Sequence, residues 1–196
     1  MLRRLSGILL FVLLTLVTQV GGAAYALAWL LGRLVSPERL RGWRRAGLSV
    51  ALFAVLYAVL HLFVVPPLAA LGGRVPLPCT AEAGRPFAAA HPLYCVLDRH
   101  YTSPRLVTLL TSLSREVERA YPGSVTLFLD ANFPFLTGFP LLPHLSHHDG
   151  RKLDLAYFYA EPGGAYRPGL LRSPIGYWAF EQPATGDTPR CPRGSG

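Results

Sequence analysis

Leu5–Leu31 reads L-S-G-I-L-L-F-V-L-L-T-L-V-T-Q-V-G-G-A-A-Y-A-L-A-W-L-L, 27 residues without a charge. At about 1.5 Å per residue, one helix of that length exceeds the roughly 30 Å hydrocarbon core of a bilayer. A cleaved signal peptide is the competing reading, but its apolar region is only about 7–15 residues. A second uncharged run, Ala46–Val65, covers 20 residues and meets Pro66-Pro67, which the sequence predicts to end the helix. Two transmembrane helices, 5–31 and 46–65, are therefore expected within an anchor spanning residues 1–72. His61 lies in the second run, near its end, and reads as a solvated interfacial histidine rather than an intramembrane functional group.

Composition agrees. Hydrophobic residues make up 51% of the 196-residue chain and charged residues only 15%, against about a quarter charged in soluble domains. That excludes an ordinary cytosolic protein, and the apolar content excludes a disordered one. The net charge of +8 is unevenly spread. Residues 1–72 hold seven arginines against Glu38, a net of +6, and residues 73–196 hold only +2. A nucleic-acid partner would want a basic patch on the folded domain, so none is expected. Five arginines lie between the two apolar runs, which places that loop in the cytoplasm and both chain ends outside. The chain then reads as a multi-pass protein of the inner or cytoplasmic membrane, with its C-terminal domain periplasmic or extracellular.

In that oxidising compartment Cys79 and Cys95 could form a disulfide, with free buried cysteines as the alternative, and Cys191 has no assigned partner. Residues 73–100 read as a linker and entry segment, and 101–196 as a small α+β domain. Ser103-Pro104 starts a helix whose apolar face is Leu106, Leu109, Leu110, Leu113 and Val117; Pro122-Gly123 ends it. Ser124–Asp130 and Leu153–Tyr159 read as strands of an antiparallel sheet. Tyr157, Phe158, Tyr159, Tyr177 and Trp178 read as core.

Pro143–Tyr159, P-H-L-S-H-H-D-G-R-K-L-D-L-A-Y-F-Y, carries three of the six histidines of the chain and two aspartates within 144–154. Imidazole and carboxylate are ligand types of catalytic zinc. A turn at Asp149-Gly150 would bring His147 and Asp154 together. Asp130 and Asn132 could reach this hairpin to orient a ligand histidine or hold a substrate amide, or could cap the turn. Glu181 is a weaker candidate base, its setting equally that of a turn.

His144-Leu145-Ser146-His147, Gly150 and Asp154 resemble the H-x-S-H-x-x-G-x-x-x-D motif of penicillin-insensitive murein endopeptidases, and are similar to the motif of D-alanyl-D-alanine peptidases. Both groups share the lysostaphin, D-Ala peptidase and hedgehog-like zinc fold. The resemblance implies His147 and Asp154 as zinc ligands, His144 near the metal, and Ser146 and Gly150 shaping the turn. It implies a peptidase acting on peptidoglycan peptides. It covers about 11 positions tightly and perhaps 60 loosely. The family also uses a later H-x-H pair, and this sequence has no histidine after His148. The expectation is a site incomplete at the C-terminus, with truncation the preferred account. His91, His100, His148 and Cys191 are unselected candidates for a further ligand. The alternative function is a non-catalytic membrane protein whose outer domain binds a partner or wall peptide.

Overall fold

The structure, a computed structural model, describes residues 2–35, 42–159, 166–169, 171 and 173. Its first apolar stretch is not one helix. Helix α1 (Leu2–Thr18) ends at Gln19, whose φ of 62° lies in the left-handed region, and α2 (Gly21–Val35) starts after Val20. Thr18 Oγ1 accepts the Gly21 N–H at 2.7 Å, capping α2. The two helices then run back along each other, with Gly7 beside Tyr25 and Gly22 against Phe11 and Thr15. A Cβ on Gly22 would lie 1.9 Å from Thr15 Oγ1 and 3.0 Å from the Phe11 carbonyl. Only glycine permits so close an approach. The expected 5–31 span is thus corrected to a helical hairpin.

The fold-back also sets which helix ends lie together. The N-terminal end of α1 shares an end of the bundle with the last turn of α2, which carries Arg33, and with the start of α3. The hairpin tip points the other way: Val20 packs with Val65, Ala69 and Tyr101, and Gln19 Oε1 accepts the Phe135 N–H at 2.8 Å.

Helix α3 (Trp43–Val59) continues through a π-turn (Leu60–Val64) into α4 (Val65–Leu71). The continuous helix Trp43–Leu71, 29 residues, is long and apolar enough to cross a membrane, the one such helix among the described residues. Pro66-Pro67 does not end it. The Val65 N–H reaches back five residues to the Leu60 carbonyl, and this wider turn accommodates prolines that lack the N–H of a regular helix. His61 lies in the π-turn and is not simply solvated, since its Nδ1 stands 2.6 Å from Asp98 Oδ1. Tyr57 donates to the Val96 carbonyl at 2.6 Å and to Asp98 Oδ2 at 3.3 Å. Asp98 is fully buried, and burial raises its pKa against the opposing pull of His61 and Tyr57.

The domain that follows uses two small strand pairs. β1 (Val75–Pro76) is antiparallel to β3 (Tyr101–Thr102). β2 (Phe87–Ala89) is parallel to β4 (Thr126–Phe128), which departs from an all-antiparallel sheet. The intervening chain, including α5 (Pro92–Val96) and α6 (Pro104–Ala120), supplies the crossover that a parallel pair requires. Residues 73–100 are therefore not a linker: they give β1, β2, α5 and the core side chains Leu77 and Phe87, which pack with Leu110, Phe128 and Ala131. A disulfide joins Cys79 and Cys95.

The expected strand at 153–159 contracts to a short run antiparallel to β4. Leu129 N–H bonds Asp154 O at 2.8 Å, Asp154 N–H bonds Asp130 O at 2.9 Å, and Ala156 N–H bonds Leu127 O at 2.9 Å. Tyr157 and Phe158 are exposed rather than core. On α6 the Ser103 cap is present, yet Leu109 and Leu113 are exposed while Leu110 and Ser114 are buried. The face packed on the core is turned toward Val107 and Leu110.

His100 is buried beside Tyr101, and burial, reinforced by nearby His61, holds its pKa at about 4 against an ordinary 6.5. The unfolded chain binds this proton from pH 6.5 downward and the folded chain only near 4, so stability is full above 6.5 and falls with pH across that window. The loss attributable to His100 is about 3 kcal/mol. Denaturation of wild type and His100→Gln at pH 7 and pH 4.5 should show the variant losing less by most of that amount.

Candidate metal centre

Two turns build the site. The His147 N–H bonds the His144 carbonyl at 2.9 Å, so the turn through Leu145-Ser146 brings both imidazoles to one side, edge to face at 5.4 Å between ring centres. The chain then bends at Asp149-Gly150. Asp149 Oδ1 accepts the Arg151 N–H at 2.9 Å, a bond that lowers the Asp149 pKa. Gly150 has φ 78°, and a Cβ there would stand 3.3 Å from Arg74 Nε. Its carbonyl accepts from Ser103 N–H at 2.8 Å and Thr102 Oγ1 at 3.0 Å. The short strand after this bend carries Asp154 back alongside the histidines.

Asn132 fastens the bend. Fully buried, its amide donates to the carbonyls of Lys152 at 2.9 Å and Tyr101 at 3.3 Å, and its Oδ1 accepts the Gly150 N–H at 3.1 Å. Arg74, just beyond α4, braces the other side, donating to the carbonyls of Phe133 and His148 and to Thr137 Oγ1. Burial lowers its pKa, opposed by the nearby Asp149 charge. The loop that holds the histidines is thus tied to the first residues after the Trp43–Leu71 helix.

His144, His147 and Asp154 converge, with one ligand atom from each lying within 4.8 Å of the others. His144 Nδ1 is 3.0 Å from Asp154 Oδ2, and His147 Nε2 is 3.2 Å from Asp154 Oδ1. Zinc with bonds of about 2.0–2.1 Å in a tetrahedron separates its ligand atoms by about 3.3 Å. The donor set passes a chemical test as well. His147 Nδ1 lies 2.8 Å from the Ala131 carbonyl, which has no proton to give, so the ring proton sits on Nδ1. Nε2 is then the atom that faces the Asp154 carboxylate, and a zinc ion between the two would take a lone pair from each.

His144 has a similar backing. Its Nε2 lies 4.0 Å from Asp130 Oδ2, within ion-pair range though longer than a hydrogen bond. Asp130 is buried and held by Arg99 through both carboxylate oxygens, and Arg99 also donates to the Leu142 carbonyl at 2.8 Å. Burial raises Tyr94, on the same side, to about 12. His147 is buried, whereas the side chains of His144 and Asp154 are about a quarter exposed, so the cluster opens outward on their side. A cavity of about 210 Å³ lined by Leu93, Leu97, Leu142 and His144 adjoins one side. A cleft of about 380 Å³ between Leu109 and Leu113 of α6 and His147, Arg151 and Asp154 adjoins the other.

The remaining candidates fall elsewhere. Ser146 is exposed on the turn. His91 caps α5 by accepting the Leu93 N–H, and His100 sits near the disulfide. Glu181, Tyr177, Trp178 and Cys191 lie outside the described residues. Arg74 and Arg99 were not singled out by sequence, because a lone arginine gives no sign of the distant carbonyls it will bridge.

No family model, no curated protein and no solved structure matches the chain.

Proposed function

We propose that the chain is a membrane-anchored, extracytoplasmic zinc peptidase-like protein acting on cell-wall peptides. The observation that carries this reading is the convergence of His144, His147 and Asp154 at zinc-ligand spacing. The H-x-S-H-x-x-G-x-x-x-D resemblance supplies the substrate class. The Trp43–Leu71 helix and the α1–α2 hairpin form the anchor, with the arginine-bearing end in the cytoplasm. The outer domain, on the opposite end, then faces the wall.

Zinc in this site would polarise a peptide carbonyl and lower the pKa of a water molecule to about 7. The chain's own groups prepare that position. Ala131 fixes the tautomer of His147, Asp130 with Arg99 backs His144, and Asn132 with Gly150 sets the distance of Asp154. The flanking cavity and cleft receive the chain on either side of the scissile bond. Here the ligand set comes from one segment, with His144 standing where the family uses a later histidine.

A second reading is a zinc-holding module that binds wall peptides without cutting them; residues 149–196 hold no histidine that could assist proton transfer. The test is incubation of the zinc-loaded full chain with cross-linked muropeptides, followed by mass spectrometry. Cleavage abolished by chelation and restored by zinc supports the peptidase. Binding without cleavage supports the module, and neither with zinc bound overturns both.

A further inference from the structure

A second group of metal-type donors stands apart from the hairpin. Both sulfurs of the Cys79–Cys95 disulfide and a ring nitrogen of His100 lie within 4.8 Å of one another. His100 is only 5% exposed, and its Nδ1 is buried without a hydrogen-bond partner. In the tautomer protonated at Nε2 that atom carries a lone pair, a buried acceptor left unsatisfied. A disulfide has no proton to offer it. Two thiols and a cation would.

We infer that Cys79, Cys95 and His100 form a second cation site, closed by the disulfide and opened by its reduction, that takes a thiophilic ion such as zinc or copper(I). Two thiolates and an imidazole are a ligand set that such ions favour, with a fourth position left open. The cysteines are suited to the exchange: Cys95 is buried on α5, while Cys79 is exposed in the irregular segment between β1 and β2. Thiolates on one zinc ion stand about 3.7 Å apart at bonds of about 2.3 Å, a separation the Cys79 segment can open to.

The chemistry balances with a dithiol as reductant. Its two thiols become its own disulfide as the Cys79–Cys95 bond breaks, and two electrons and two protons pass to the protein. Cation binding then releases the two thiol protons to solvent. This inference is independent of the peptidase reading, because it shares no residue with the hairpin site.

The test uses the full chain in detergent, carrying Cys191→Ser so that no other thiol contributes. The protein is reduced with dithiothreitol, freed of it under anaerobic conditions, and titrated with cobalt(II) as a spectroscopic stand-in. Sulfur-to-cobalt charge-transfer absorption in the near ultraviolet is expected in the reduced chain and not in the oxidised one. Cys79→Ser should abolish it, His147→Ala should leave it intact, and His100→Gln should weaken cobalt affinity by about tenfold or more. His100→Asn replaces the glutamine variant where the latter does not fold. No charge-transfer band at saturating cobalt, or unchanged affinity without His100, would overturn the inference.

Discussion

His147→Ala should lower zinc affinity by more than about 100-fold, since a ligand is lost outright where removal of an outer-sphere partner costs about 10–100-fold. Asp154→Asn should do nearly as much. Asp154 is the one group whose two oxygens face both histidines, at 3.0 Å and 3.2 Å, and a neutral amide supplies neither the charge nor two equivalent acceptors. Asp130→Asn tests the backing of His144 and should fall in the milder range. Dialysis against a competing chelator, with metal counted per chain, reads all three. Equal zinc retention by wild type and His147→Ala would remove the hairpin from the account. The comparison is clean for Asp154→Asn, because the backbone bonds of Asp154 to Leu129 and Asp130 do not depend on its side chain.

Gly22→Val should destabilise the chain by about 3 kcal/mol or more, the range of severe overpacking. Any Cβ at this position collides with Thr15 Oγ1 and crowds the Phe11 carbonyl, to which Thr15 is itself bonded at 2.8 Å. Helix α2 must lift off α1, and the tip that holds Phe135 through Gln19 goes with it. If 5–31 were a single straight helix, valine at 22 would be harmless or favourable in a bilayer. The two arrangements therefore predict opposite results. Gly47→Ala is the control, because a Cβ there meets nothing within 4 Å, and alanine is the better helix former by about 1 kcal/mol. Thermal unfolding in detergent should show Gly22→Val far below wild type and Gly47→Ala at or above it.

The convergence of His144, His147 and Asp154 was legible because its geometry is local. His144 and His147 meet across one turn, and Asp154 returns across one bend whose glycine adopts positive φ. Spacing encodes such things. The hairpin of α1 and α2 was written in Thr18-Gln19-Val20-Gly21-Gly22, but hydropathy sees only an uncharged run. What fixes the break is the Gln19 bond to Phe135, 116 residues away. The His61–Asp98 pair has the same character: neither residue announces a partner 37 positions distant. Pro66-Pro67 misled for another reason, since a π-turn lets the helix pass through prolines. On α6, periodicity marked Leu109 and Leu113, whereas the face packed on the core carries Val107, Leu110 and Ser114.

The most direct test of the central claim is zinc K-edge X-ray absorption on the full-length, oxidised protein. The account predicts one zinc per chain in a shell of nitrogen and oxygen at about 2.0 Å, with scattering from two imidazoles, one of them lost in His144→Ala. Failure to retain zinc, a shell containing sulfur, or two imidazoles persisting without His144 would contradict it.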